Sequence, residues 1–471
     1  MARPARSDFS PGRAVFFDPG KAGIARAWRA PGLILVSSMP FIVRLEEFRM
    51  KAITIARDYG AGGRELAHRL AEVLGWEVLD REWLHRAAQI AQMPDAELER
   101  FDEKAVSMAD RFRLRPPHEK YLQGLTEAAR SAASQGKVVL VGRGARHLLG
   151  EMPEVFHLRL VAPRRWRVQR MARIEGRSEE VALARCVEID RARALFARYY
   201  FGETATRAEH YDLVVNTARV PLEDLASVVA AVVSPASCKP REPSAGREAS
   251  PEGSDFSAAD LPAERGFTST PRGESAAADR RRVLTLSREL GAGETGLART
   301  LAERLGMRLY DRELLEHQAH RLGVSETELE KIDEQRASIF ERFRPGSIHQ
   351  RYFEALEKII RELAERGDVI LVGRGGNCFL REDCRAFHVR LVAPMPVRLR
   401  RVMEYRWVNE SVARNLVAES DLQRRRYYET YFEVDWTDPL EYHLTVNSGR
   451  LGATAVDLIS FAATRHWERG Q

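Results

Sequence analysis

The feature that most limits how this chain can fold is that it repeats itself. Gly60 matches Gly291 and Gly62 matches Gly293, and the same offset of 231 residues relates Asp80 to Asp311, Gly142 to Gly373, Asp190 to Asp421 and Asn216 to Asn447. Between these anchors the halves align without a gap. Two five-residue blocks are identical: Leu140–Gly144 with Leu371–Gly375 (LVGRG), and Arg159–Pro163 with Arg390–Pro394 (RLVAP). A period this long signals two tandem copies of a whole domain, not a solenoid. Length alone would suggest about three domains, but the repeat argues for two of about 180 residues, each long enough to bury its own core. We place domain one at 50–233 and domain two at 281–471. Residues 234–280, rich in Ser, Pro, Ala, Gly and Glu, read as a flexible linker. Residues 1–49 read as a poorly ordered leader, because Met50 resembles a natural start just before the first strand.

Each copy opens on the same local pattern. Residues 52–67, A-I-T-I-A-R-D-Y-G-A-G-G-R-E-L-A, pass from a β-branched run through three glycines into a helix with Leu66, Leu70, Val73 and Leu74 on one face. Strand, glycine turn and helix together present bare backbone N–H groups to a phosphate. The usual phosphate loop adds a lysine and then a hydroxyl. Here Gly63 stands for the lysine and Arg64-Glu65 follow, whereas copy two has Glu294, Thr295 and Gly296. Further strands are expected at 76–79, 138–141, 155–161 and 212–215. Helices are expected in the 82–135 region (broken at Pro116-Pro117), at 164–174 and at 178–200, and a capping box at Ser325–Glu328 starts one in copy two. This alternation implies an α/β fold with a mainly parallel sheet covered on both faces.

In such a sheet, ligands bind beyond the carboxyl ends of the strands. Arg57, Asp80, Arg81, Arg143 and Asn216 all fall there, and copy two repeats them as Arg288, Asp311, Arg312, Arg374 and Asn447. Arg143, between two glycines, is the sharpest of these: small neighbours let backbone approach a ligand while the guanidinium reaches an oxyanion. Downstream, Arg167 and Arg170 share one helix, and Asp190 and Arg193 lie at i, i+3 on the next; Arg398, Arg401, Asp421 and Arg424 match them. These form either a salt-bridged exposed face or a lid whose arginines close over transferring phosphates.

Composition narrows the partners. A formal charge of +6 and a pI near 9.2 suit anionic ligands gripped by arginine forks. No basic stripe is interleaved with aromatics as in single-strand binders, so no nucleic-acid partner is expected. The four cysteines form no CxxC pair, which points to a reducing compartment, taken as cytoplasmic, and no structural zinc. No apolar run reaches the roughly 18 residues of a membrane span.

Taken together, these motifs resemble two fused copies of the cytidylate kinase-like family, a branch of the P-loop nucleoside monophosphate kinases, over about 51–233 and 282–465. I-T-I-x-x-x-x-G-A-G fits the phosphate loop, and Trp76–Arg86 fits the segment whose Asp and Arg face the acceptor nucleotide. Gly142-Arg143 fits a Gly-Arg-Asp motif in which Gly144 replaces the Asp, and Asp190 and Arg193 fall where the lid's Asp and Arg belong. The resemblance implies two tandem three-layer α/β/α P-loop kinase-like domains that use ATP and Mg2+ to convert (d)CMP to (d)CDP. It implies phosphate binding by Arg57, Gly60, Gly62, Gly63 and Arg64, and in copy two by Arg288, Gly291, Gly293 and Thr295. Acceptor binding falls to Asp80, Arg81 and Arg86, with Asp311, Arg312 and Arg374 in copy two. Arg143 would hold the acceptor phosphate, and Arg170 and Arg193, with Asp190, would serve the transferring group. No metal ligand is directly identifiable, and the two copies are free to pair within the chain. Copy two departs further, with Glu294 in its loop and His317 in place of Arg86. A nucleotide-binding sensor without turnover is the competing class.

Overall fold

The computed structural model describes residues 50–80, 117–142, 144–150, 152–202, 204–234, 281–293, 295–311, 348–373 and 375–470. The expectations for the leader, for most of the linker, for the Pro116 break and for the Ser325–Glu328 capping box lie outside the described residues.

Copy one runs β1 (Ala52–Arg57), α1 (Gly63–Leu74), β2 (Glu77–Leu79), α2 (Pro117–Gln135), β3 (Val138–Val141), α3 (Ala145–Leu148), β4 (Val155–Val161), α4 (Arg164–Glu175), α5 (Glu179–Phe201), β5 (Leu213–Asn216) and α6 (Leu222–Val233). Copy two repeats the order as β6 (Val283–Arg288), α7 (Thr295–Leu305), β7 (Arg308–Tyr310), α8 (Ile348–Arg366), β8 (Val369–Val372), α9 (Gly376–Phe379), β9 (Ala386–Val392), α10 (Met395–Arg406), α11 (Glu410–Phe432) and β10 (Leu444–Asn447). It closes with α12 (Ser448–Leu451) and α13 (Thr454–Arg469). The β-branched runs are buried from end to end because helices cover both faces of the sheet. In α1 the buried face is Gly63, Leu66, Ala67 and Leu70, whereas Val73 is 55% exposed. The expected stripe continues to Leu74, which packs on the core, and loses only Val73, which rotates onto the flank of the helix.

Within each copy all strand pairs are parallel, in the order β2-β3-β1-β4-β5 and its equivalent β7-β8-β6-β9-β10. The two sheets do not stay separate. β5 and β10 pair antiparallel, Leu444 with Val215, Thr445 with Val214 and Val446 with Leu213, which makes one ten-stranded sheet. Thr445 is the repeat equivalent of Val214, so this pairing is an isologous contact about a pseudo-twofold axis. α6 packs on α1 and also on α13 of the other copy. The apolar core on that face is accordingly continuous, from Ile53, Leu70 and Val229 through to Leu301, Ile459 and Trp467. On the opposite face each copy keeps its own cluster, around Leu125 and Leu140 in one and around Leu356 and Leu371 in the other.

Candidate functional site

β1 lies between β3 and β4, so the turn at its end sits where the chain's direction across the sheet reverses, the usual ligand crevice. Residues 58–62 carry the chain from β1 into α1, with Gly60 and Gly62 at φ 82° and 87°. The first turn of α1 leaves N–H groups without helical partners, beside the positive end of the helix dipole. Gly142, at the end of β3, donates its N–H to Ile55 O at 2.9 Å. A Cβ at Gly142 would meet Arg57 Nη1 at 1.8 Å, so only glycine lets the Arg57 guanidinium lie there.

Around this turn the structure gathers Arg57, Gly60, Gly62, Gly63, Arg64, Asp80, Arg170, Asp190 and Arg193. Asp80 is held by Arg64 through Nε and Nη2 at 3.0 and 2.8 Å, with Arg57 Nη2 at 3.6 Å. Arg170 donates to Gly60 O at 3.2 Å and to Glu65 Oε2 at 2.5 Å. From α5, Arg193 donates to Arg57 O at 3.1 Å, and Asp190 accepts from Tyr59 N at 2.8 Å. Arg143, Arg81 and Arg86 lie outside the described residues.

For one residue central to this arrangement the sequence reading offers an exposed face or a lid and omits the part it plays. Arg167, buried, donates to Ala162 O (2.9 Å), Tyr59 O (2.8 Å) and Asp190 Oδ2 (2.6 Å), bolting helices α4 and α5 to the turn. Asp58 and Arg159 are the other omissions; they pair at 3.3 Å beneath the turn. Arg159 opens the identical RLVAP block, so a signal was present, but a strand residue there reads as core. Burial pushes the Asp58 carboxyl up, against the pull of Arg159 and Arg167. Burial likewise lowers the Arg193 guanidinium, while Asp190 and Asp58 favour its charge. The Tyr59 hydroxyl, half-buried and donating to Glu175 at 2.6 Å, is pushed up to about 12.

Copy two keeps the scaffold and changes the partners. Arg398 donates to Leu290 O at 2.8 Å and to Asp421 at 2.7 Å, as Arg167 does to its equivalents. Glu289, which burial pushes up, pairs with Arg390 at 2.7 Å and Arg398 at 3.4 Å. Arg288 donates to Gly293 O at 3.3 Å, and Asp311 supports its charge against burial. Gly291 keeps its left-handed φ of 80°, but Gly293, unlike Gly62, does not take one. Gly296 replaces Glu65, and Arg401 accordingly turns to neutral oxygens: Gly291 O at 3.2 Å, Ser448 Oγ at 3.0 Å and Ser448 O at 3.1 Å. Arg424 donates to Ser420 Oγ at 2.6 Å; burial lowers it, Asp421 opposes that, and Arg288 and Arg398 repel it. Arg312, Arg374 and the Thr295 side chain lie outside the described residues.

Asn216 and Asn447 sit at strand ends as expected but face the seam between the copies and not the ligand crevice. Asn216 Nδ2 donates to Leu440 O at 3.0 Å and Asn447 Nδ2 to Glu209 O at 2.8 Å, symmetric staples across the pseudo-twofold axis. Their burial at β5 and β10, the two strands that pair, explains the correction.

A parallel sheet of this order, with a glycine turn closing its central strand and arginine-bearing lid helices above, defines the P-loop kinase-like class, present here twice. Comparison with known proteins agrees: the cytidylate kinase-like family matches residues 52–219 and 283–450. The chain belongs to that family. It is similar to the cytidylate kinase of Pyrococcus horikoshii, 25% identical over 185 residues, 39% of this chain and 88% of that protein. It is also similar to the cytidylate kinase of Methanopyrus kandleri, 28% identical over 177 residues, 36% of this chain and 85% of that protein. Among solved structures, an uncharacterized protein from Eubacterium ventriosum is 26% identical, covering 39% of this chain and 99% of that one at a TM-score of 0.33. No helix among the described residues is long and apolar enough to cross a membrane.

Proposed function

We propose that copy one transfers the γ-phosphoryl group of ATP to a nucleoside monophosphate, with CMP or dCMP as the preferred acceptor. The observation that carries this reading is the convergence of Arg57, Arg64, Arg170 and Arg193 on the glycine turn at the end of β1. Phosphoryl transfer needs no side-chain nucleophile: the acceptor phosphate attacks, and the protein aligns the reactants and stabilises charge. Arg57, lying across the turn against Gly142, takes the place of the missing lysine. Arg170 and Arg193 reach the turn from the lid and would neutralise the transferring group. Arg64 and Asp80 flank the acceptor side, and Arg143 would grip the acceptor phosphate.

Magnesium would arrive on the nucleotide's own phosphates, with the Asp80 carboxylate as a protein oxygen donor. Among the described residues no group of three acidic, histidine or cysteine side chains is placed to hold an ion. Once bound it would neutralise phosphate charge. Binding would first have to exchange carboxylate for phosphate at Arg64 and Arg170, since Asp80 and Glu65 hold them. That internal pairing is what favours the second reading, a sensor that binds nucleotide without turning it over.

Because the copies share a core, the test uses the full chain. With Mg-ATP and CMP, dCMP, UMP, AMP or GMP in turn, ADP should form fastest with CMP or dCMP. ADP formation no faster than without acceptor, for every acceptor, would discard the kinase reading in favour of the sensor.

A further inference from the structure

We propose that copy two is a regulatory site for a nucleoside polyphosphate, and that its occupancy is passed to copy one through Arg401, the Asn447–Arg450 turn and Asp212. The inference rests on the phosphate-binding reading of the two turns.

It starts from a cation without a counter-charge. Among the described residues every partner of Arg401 is a neutral oxygen, two of the three belonging to Ser448. Arg170, its counterpart, has Glu65. A phosphate on the second turn therefore gains more from Arg401 than Ser448 does, since charge-assisted hydrogen bonds are roughly twice as strong as neutral ones. Binding would draw Arg401 off Ser448, and that exchange is the differential contact any such switch requires.

Ser448 is well placed to report the change. Its hydroxyl also donates to Ala292 O inside the second turn. Its neighbour Asn447 holds Glu209 of copy one, and Asn447 Oδ1 accepts from Arg450 N at 3.2 Å. Arg450 Nε in turn pairs with Asp212 of copy one at 2.6 Å. Asp212 Oδ2 accepts from His157 N at 2.6 Å, and His157 Nδ1 meets Thr54 Oγ1 at 2.8 Å on β1, three residues before Arg57. Asp212, His157 and Thr54 are all buried. A continuous hydrogen-bonded chain thus runs from the second turn to the strand that carries the first.

Among the described residues the symmetry-equivalent path is incomplete. Thr217, the equivalent of Ser448, donates to Val161 O just as Ser448 reaches Val392 O, but Arg170 turns to Gly60 O and Glu65 instead. His443 replaces Asp212, so Arg219, the equivalent of Arg450, contacts Arg381 O and finds no carboxylate on His443. Of the two symmetry-equivalent connections among the described residues only this one is complete, and it joins the turn of the copy whose loop departs further to the strand that carries the turn of the copy with the fuller arginine set.

Calorimetry on the full chain with Mg2+ and the non-hydrolysable analogue AMP-PNP tests this. The parent should show two binding events. Arg401→Ala should weaken one by about tenfold or more, and the surviving copy-one Kd should differ from its parent value by about fivefold or more. Arg450→Met should keep both events and give the copy-one Kd of Arg401→Ala. Should Arg450→Met fail to fold, Ser448→Ala removes the anchor of Arg401 while leaving the Arg450–Asp212 pair, and should have the same effect on the copy-one Kd. A single binding event in the parent, or one copy-one Kd shared by all variants, would overturn the proposal. Two coupled events without ADP formation would count against the kinase reading alone.

Discussion

After the phosphate turn, copy one places Glu65 where copy two places Gly296, and that difference redirects an arginine. Arg170 closes on the Glu65 carboxylate, whereas Arg401 swings to the Ser448 backbone and hydroxyl. At the seam the same thing happens a second time, with Asp212 pairing Arg450 where His443 leaves Arg219 to a carbonyl. Both copies keep the sheet order, the glycine bend and the Arg167–Asp190 type of clamp. What differs is where the counter-charges lie. A duplicated fold can hold its scaffold by burial while its arginines acquire new partners through single substitutions, because an exposed pair such as Arg170–Glu65 is worth little to stability, whereas the buried Asp212 at the seam is worth more.

The seam offers the larger test of that contrast. Asp212→His removes the buried partner of Arg450 and should cost about 3 kcal/mol in chemical denaturation. The mirror change, His443→Asp, supplies Arg219 with a carboxylate and should cost under about 1 kcal/mol. Equal losses would mean that the asymmetry of the seam is incidental.

Acid stability sharpens the same comparison by a smaller amount. On the copy-two side His388, His443 and His466 pack together, facing Arg219 and, at His388, Asp383. Burial lowers all three, His388 to about 3, and Arg219 pushes the same way. A histidine whose folded pKa lies below its unfolded value of about 6.5 keeps its full stabilising effect above that pH and loses it as pH falls, since the unfolded state takes up the proton. Each such residue contributes up to about 1.4 kcal/mol per pH unit. Melting temperature should therefore drop between about pH 6.5 and 4.5, and His443→Asn should shallow the slope. An unchanged slope would remove the triad from the acid response.

Much of this was legible in the sequence. The gapless repeat and the β-branched runs were enough for two parallel α/β copies, and the strands Val138–Val141 and Val155–Val161 fall where the apolar runs put them. The meeting of Arg57 and Asp80 followed from knowing that polar residues at strand ends share one edge, whereas Arg170 and Arg193 were brought there by the lid reading of the two helices that carry them. The joining of the sheets was not legible. Asn216 and Asn447 were read by the same rule as ligand groups, yet they cap the two strands that pair, and nothing in one strand's sequence says which edge will find its own duplicate. Arg167 was read as part of an exposed face or a lid because an arginine on a basic helix is ordinarily solvated, whereas its burial depends on Tyr59 and Asp190 arriving from distant segments.

The division of labour between the copies is most directly measured with Arg193→Ala and Arg424→Ala, made separately in the full chain and assayed with Mg-ATP and CMP. Arg193→Ala should lower kcat by about 10³-fold or more, and Arg424→Ala by less than about tenfold, because the proposed function gives the reacting phosphate to the first arginine alone. Equal losses from the two changes, or a greater one from Arg424→Ala, would contradict the account.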